Sequence, residues 1–298
     1  MSLFRRLVVI GMPLVPKPIV GYVAKRYVSG ETVEQAVKCV RALQAAGAMA
    51  TMDVLGESVD SREKAQWVVD QYLALLDVAS REQLPASISL KPTMLGLNID
   101  EGFCAANIEQ IVARAKELGF EATIDMEDHS CTDATLRIYR ALLPRFGNVG
   151  TVLQAYMRRT LSDIDALPAG SRVRLCKGIY IEPRDIAWRD YGTVRANYVA
   201  ALGKLLRRGI YTEIATHDEH LVWAALAQID KLGLRPEQYE FQMLLGVDPQ
   251  LRRIIIAGGH RLRVYVPYGR DWYPYCTRRL RENPDVARHI IRAFFGLR

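Results

Sequence analysis

Short apolar runs alternate with longer amphipathic patterns eight times along this chain, and no other feature restricts the fold so strongly. Candidate strands occupy Gly47–Val54, Ser87–Lys91, Ala122–Met126, Gly150–Tyr156, Arg172–Lys177, Tyr211–Thr216, Tyr239–Leu244 and Arg263–Val266. Brief runs of this kind, bounded by turn residues, are strand signals. Helical patterns fall between them over Ser61–Leu76, Asn107–Leu118, Asp133–Leu143, Thr193–Leu206, Asp218–Leu232 and Pro249–Ile256. The segment Ser162–Leu167, after the fourth strand, is short. Successive strand–helix units predict a parallel sheet closed as a (β/α)8 barrel of α/β class. A doubly wound open sheet is the competing architecture, but no G-x-G-x-x-G follows the first strand.

The pattern Glu31–Ala46 precedes the first strand. Residues 1–46 are therefore expected to form an N-terminal helical arm flanking the barrel bottom, and residues 47–298 the barrel domain. Asp285–Phe295 reads as a terminal helix after Pro284. The apolar run Leu7–Val15 follows Arg5-Arg6 but is broken by Pro13 and lacks a small-residue cleavage site, which argues against a signal peptide. It is also too short to span a bilayer.

The net charge of +7 allows nucleic acid, an anionic membrane surface or small anions as partners. Basic residues are dispersed, and no nucleic-acid-binding signature appears, so no nucleic-acid partner is expected. The five cysteines, Cys39, Cys104, Cys131, Cys176 and Cys276, are isolated and odd in number. That fits a reducing cytoplasm better than a disulfide framework.

Barrel chemistry sits at the C-terminal strand ends, and here those ends are polar. They carry Lys91; Asp125, Glu127, Asp128 and His129; Gln154 and Tyr156; Arg174 and Lys177; Thr216, His217 and Asp218; Glu240 and Gln242; and Tyr265. After the eighth strand, Tyr275, Arg278, Arg279 and Glu282 recur at helical spacing on one side. Paired guanidiniums beside a tyrosine suit a small carboxylate, although a solvated helix face gives the same pattern. Three chemistries remain open at this level. A metal hydrolase would draw on Asp125, Glu127, His129, His217 and His220, but the His217–His220 spacing is not that of H-E-x-x-H. A Schiff-base enzyme would use Lys91 or Lys177. A bound redox cofactor would draw on Arg174, Lys177-Gly178 and Thr216-His217.

Four segments in order carry a specific resemblance: Arg174–Tyr180, Ala215–Asp218, Tyr239–Gly246, and Tyr265–Gly269 with the helix through Glu282. In this order and spacing the chain resembles proline dehydrogenase, in its compact monofunctional bacterial form, over roughly Asp53 to Glu282. The resemblance implies a distorted barrel whose last helix lies over the mouth, and non-covalent FAD with no metal. It implies oxidation of L-proline to Δ1-pyrroline-5-carboxylate, the first step of proline catabolism, with electrons passed to a membrane quinone. It assigns catalytic roles to Asp125 and Arg174, and substrate contacts to Lys91, Tyr265, Tyr275, Arg278 and Arg279, with Leu245 or a neighbour beside the ring. An ion pair between Asp125 and Lys91 is expected. FAD contacts fall to Ile124, Gln154, Arg174, Cys176, Lys177, Gly178, Ile179, Tyr180, Thr216, His217, Gln242 and Glu282, with Arg189 as the cation of the following loop. Cys176 and Ile179 stand where the family commonly has Val and Ala. A cytoplasmic protein in peripheral contact with the inner membrane face is expected. A separate pyrroline-5-carboxylate dehydrogenase would take the product.

Overall fold

The computed structural model describes residues 26–56 and 58–282, with side chains to Thr277. The Leu7–Val15 run and the Asp285–Phe295 segment lie outside the described residues. Eight parallel strands close into a barrel in sequence order: β1 (Met49–Val54), β2 (Ala86–Leu90), β3 (Ala122–Ile124), β4 (Val149–Gln154), β5 (Arg172–Cys176), β6 (Tyr211–Ala215), β7 (Tyr239–Leu244) and β8 (Leu262–Tyr268). Closure comes from β8 pairing with β1 from Met49↔Arg263 to Val54↔Tyr268, which rules out the open sheet.

The helices are α1 (Val33–Ala45), before β1, then α2 (Arg62–Arg81), α3 (Glu101–Glu117), α4 (Thr132–Phe146), α5 (Thr160–Asp165), α6 (Tyr191–Arg207), α7 (Glu219–Leu232), α8 (Pro249–Ala257) and α9 (Trp272–Glu282), after β8. Two element boundaries differ informatively from those expected. Helix α3 begins six residues before Asn107 because Asp100 caps it, accepting a hydrogen bond from Phe103 N at 2.7 Å. Strand β8 runs past Pro267, whose carbonyl accepts bonds from Ser29 N and Oγ, and the ladder closes with Leu55 N donating to Tyr268 O at 2.8 Å.

Helix α1 packs along β1 and β8, and the chain leading into it reaches the mouth rather than the bottom. Gly30 O accepts from Gly269 N at 3.0 Å, and Arg26 Nε donates to Gly246 O at 2.8 Å. Of the expected arm, residues 26–32 lie at the mouth and not at the bottom, because a helix that returns antiparallel to β1 must start at the opposite end; residues 1–25 lie outside the described residues.

One apolar layer lies between strands and helices, built from residues such as Met52, Ile88, Leu90, Ile124, Val173, Leu175, Ile214, Phe241, Val264 and Val266. The lumen is different. Its lower half is an ionic lattice. Arg263 Nε donates to Glu240 Oε1 at 2.6 Å, Arg172 Nε to Glu213 Oε1 at 2.6 Å, and Arg172 also pairs with Glu121. Burial alone would push the Glu240 carboxyl up, but Arg263 and Arg172 hold it well below the usual carboxylate range. Among the described residues, no helix is long and apolar enough to cross a membrane.

This lattice predicts the cost of breaking it. Arg263→Leu leaves Glu240 short of its main counter-ion in a dry site, and should lower the urea-unfolding free energy by about 3–5 kcal/mol. A loss below about 1 kcal/mol would mean that Arg172 and Gln242 suffice to hold Glu240.

Candidate active site

The upper lumen is organised around the buried guanidinium of Arg174 on β5. Its Nη1 donates to Asp125 Oδ1 at 2.8 Å and to Ser89 Oγ at 2.9 Å, while Ser89 Oγ donates to the same Asp125 oxygen at 2.7 Å. Its Nε donates to Gln242 Oε1 at 2.6 Å and lies 3.3 Å from Glu213 Oε2. Gln242 Nε2 donates to Glu213 and Glu240, which fixes which way the amide points. Burial opposes the charge on Arg174, yet Glu213 and Asp125 raise its pKa further and keep it cationic. The remaining nitrogen, Nη2, is buried and has no hydrogen-bond partner among the described residues. A donor left in that state costs roughly 1–3 kcal/mol unless something accepts from it.

Lys91, just past β2, pairs with the expected Asp125 and, more closely, with another carboxylate. Its Nζ donates to both oxygens of Asp53, at 2.6 and 2.7 Å, and lies 3.8 Å from Asp125 Oδ2. Asp125 is therefore a second, longer partner, and its close bonds go to Arg174 and Ser89. Asp53 is wholly buried on β1 and also accepts from Tyr72 OH at 3.2 Å. Burial pushes the Lys91 ammonium toward neutrality, but Asp53 and Asp125 overcome this and hold it charged. Lys91 also donates to Tyr265 OH at 3.2 Å. Tyr265 is held neutral by burial, with Asp53, Asp125 and Tyr275 acting in the same direction.

The β5 end continues through Lys177, Gly178, Ile179 and Tyr180. Gly178 adopts φ +105°, and a Cβ there would overlap the Tyr156 ring. Glycine is thus required at 178, and a neighbouring tyrosine is one reason. Lys177 Nζ donates to Asp218 Oδ2 at 3.1 Å, where Tyr191 OH and Arg195 also converge. Those donors outweigh burial and hold Asp218 well below the usual carboxylate range. Thr216 Oγ1 accepts from Asp218 N at 3.1 Å, and His217 Nε2 accepts from Leu244 N at 2.7 Å. Gln154 is buried and donates to Glu127 O at 2.8 Å. Cys176 closes β5, Leu245 follows β7, and Ile124 is fully buried in the core. Arg189 donates to Glu182 O at 3.1 Å within its own loop.

The hydrolase ligands are drawn apart. Glu127 accepts from Thr93 N and Oγ1, His129 pairs with Glu182, and His217 serves the β7 backbone. Among the described residues no three such groups are placed to hold a metal ion.

Helix α9 begins at the mouth, where Trp272 Nε1 donates to Glu31 Oε1 at 3.1 Å. Tyr275 is buried. The helix carries positions 278, 279 and 282, but the side chains of Arg278, Arg279 and Glu282 lie outside the described residues. Sequence reasoning missed Asp53, Ser89 and Glu213 as parts of the site. The available signal was a polar residue at alternate positions of otherwise apolar strands.

The family model for proline dehydrogenase matches residues 36–292. The chain is 38% identical over 275 residues to proline dehydrogenase of Deinococcus radiodurans, covering 90% of this chain and 89% of that one. It is 36% identical over 270 residues to proline dehydrogenase 1 of Bacillus subtilis, again covering 90% of this chain and 89% of that one. The solved structure of proline utilization A (PutA) from Bdellovibrio bacteriovorus, inactivated by N-propargylglycine, has a TM-score of 0.85. That match covers 94% of this chain and 36% of that one at 24% identity, and is a likeness of fold. A family model spanning the whole barrel, with relatives alike along nearly their full length, establishes that this chain belongs to the proline dehydrogenase family.

Proposed function

We propose that this protein oxidises L-proline to Δ1-pyrroline-5-carboxylate, using non-covalent FAD and passing electrons on to a quinone. The observation that carries the cofactor reading is Arg174: a buried cation paired through Nη1 and Nε, with its third guanidinium nitrogen, Nη2, left without a hydrogen-bond partner among the described residues. The donor set around it fits a flavin. It offers a fixed cation, the Gln154 amide, and the backbone of Cys176 to Tyr180 turned by a left-handed glycine. When bound, FAD supplies the two-electron acceptor for the hydride that leaves the substrate ring.

The chain's own residues position and bias that chemistry. Arg174 supplies a positive charge where negative charge would accumulate. It does so without reorganising, because Asp125, Ser89 and Gln242 already hold it. Lys91, kept cationic by Asp53, faces the substrate carboxylate. Tyr265 and Tyr275 wall the ring. Helical spacing from Tyr275 to positions 278 and 279 supports a carboxylate clamp completed by Arg278 and Arg279. Thr216 and His217 hold the other part of the cofactor, with Lys177, Gln242 and Glu282 at its edge. No side chain is needed as a strong base, since the amine reacts as the neutral form and the barrel's task is near-attack placement.

The protein is expected to be cytoplasmic and to meet the membrane peripherally, because quinones reside there and the +7 charge favours an anionic surface. A separate pyrroline-5-carboxylate dehydrogenase would consume the product.

Three outcomes follow. Protein reconstituted with FAD should lose its visible flavin absorbance on anaerobic addition of L-proline; an unchanged spectrum would remove proline as the substrate. Asp53→Asn should lower kcat/KM for proline by about 100-fold through a misplaced Lys91, while FAD content stays full. Wild-type kcat/KM in that variant would show that Lys91 needs no such anchor. Anionic vesicles should pull the protein into the pellet at low ionic strength and release it as salt rises. Protein found wholly in the supernatant at low salt would argue against membrane contact.

A further inference from the structure

Glu182 lies in the loop between β5 and α6, in a stretch whose neighbours are open to solvent. Ile181 is 98% exposed, and Pro183, Arg184 and Asp185 are exposed as well. The Glu182 side chain is nevertheless 1% exposed. A carboxylate turned inward from a solvated loop loses hydration, and only specific bonds offset that loss.

Those bonds reach two other strands. Oε1 accepts from His129 N at 2.9 Å and from Tyr156 OH at 3.4 Å. Oε2 lies 2.5 Å from His129 Nδ1. A carboxylate can only accept, so Nδ1 is the protonated ring nitrogen. His129 begins the turn before α4, and Tyr156 follows β4. One carboxylate thus fastens the β5 loop to the segments that follow β3 and β4.

Tyr156 transmits this anchoring to the segment that follows β5. Its N donates to Lys177 O at 2.8 Å and its O accepts from Trp188 N at 2.8 Å, so its backbone joins the two ends of the loop. Its ring packs against Gly178, closely enough to forbid a Cβ there. Its hydroxyl points to Glu182.

We propose that Glu182 is a positioning residue for the cofactor: through Tyr156 and His129 it sets the conformation of the Lys177–Tyr180 segment. This rests on the reading above, in which that segment lines FAD. Glu182 itself touches no reacting atom.

The test compares Glu182→Ala, Glu182→Gln and His129→Ala with wild type. The readouts are FAD dissociation constant from flavin fluorescence, tryptic cleavage of the apo protein after Arg184 followed by mass spectrometry, and global unfolding midpoint. Glu182→Ala should weaken FAD binding at least tenfold and speed cleavage at least tenfold. Glu182→Gln keeps an acceptor for His129 N and Tyr156 OH, and the half-exposed His129 ring can change tautomer. It should therefore stay within about threefold of wild type on both readouts. His129→Ala alters a half-exposed residue, should fold normally, and should move both readouts by about threefold.

Wild-type FAD affinity in Glu182→Ala overturns the proposal, whether or not cleavage accelerates. Should Glu182→Ala not fold, unchanged FAD affinity in His129→Ala overturns it instead. A Glu182→Gln variant as impaired as Glu182→Ala also counts against it. The two possible failures read differently. A wild-type protein that takes up no FAD sinks the flavin reading and this proposal together. Normal wild-type binding with unaltered Glu182→Ala binding sinks the proposal alone.

Discussion

Everything at the mouth of this barrel depends on keeping buried charges paired inside the lumen. Arg172, Arg174, Arg263 and Lys91 face Asp53, Asp125, Glu213 and Glu240 in direct contacts. None of these ions is tolerable there alone, because an unpaired charge in a dry interior costs several kcal/mol. The pairing runs from strand to strand. Arg263 on β8 holds Glu240 on β7, Gln242 bridges Glu240 to Glu213, and Arg174 links Glu213 to Asp125. Displacing one member re-aims the next. The position of Arg174 at the top is therefore set partly by Arg263 near the bottom.

Much of this barrel was legible in the sequence, for a simple reason. The strand faces that meet the helices are mostly apolar, as in Val173 and Leu175 or Val264 and Val266, with the buried Thr151 and Thr212 as polar exceptions. Their runs mark the strands even where the lumen-facing residues are charged. Proline and the first turn of a helix were harder to read. Pro267 looks like a terminus but lies within β8, and its carbonyl accepts from the Ser29 segment. Glu101 to Ala106 carry little apolar periodicity, yet the Asp100 cap starts α3 there.

The site was legible as residue types at strand ends and less so as partnerships. Lys91 and Asp125 lie on neighbouring segments, and an ion pair between them was the natural expectation. The strand on the other side of β2 supplies a competitor. Asp53 on β1 flanks β2 from the other side and takes the short contacts, while Arg174 draws Asp125 toward β5. The same limit explains the N-terminal lead-in. Nothing in Arg26 to Glu31 announces a barrel mouth, but α1 must descend to deliver the chain to β1, so its start lies beside Gly246, Gly269 and Trp272.

The division between the two layers has an energetic logic. Buried ion pairs are poor stabilisers, and apolar residues of equal volume often do as well or better. The net stability of the barrel must therefore come mainly from the outer layer, where residues such as Met52, Leu90, Leu175, Ile214 and Phe241 are removed from water. The lumen gains something else from its charges, which is direction. A guanidinium bonded on Nη1 and Nε can aim Nη2 at only one place. An ammonium bidentate to Asp53 likewise has few orientations left for its remaining hydrogens. A hydrocarbon lumen would fold as well and orient nothing. That the chain tolerates so much buried charge in its lumen is best understood as the cost of holding Arg174 and Lys91 still.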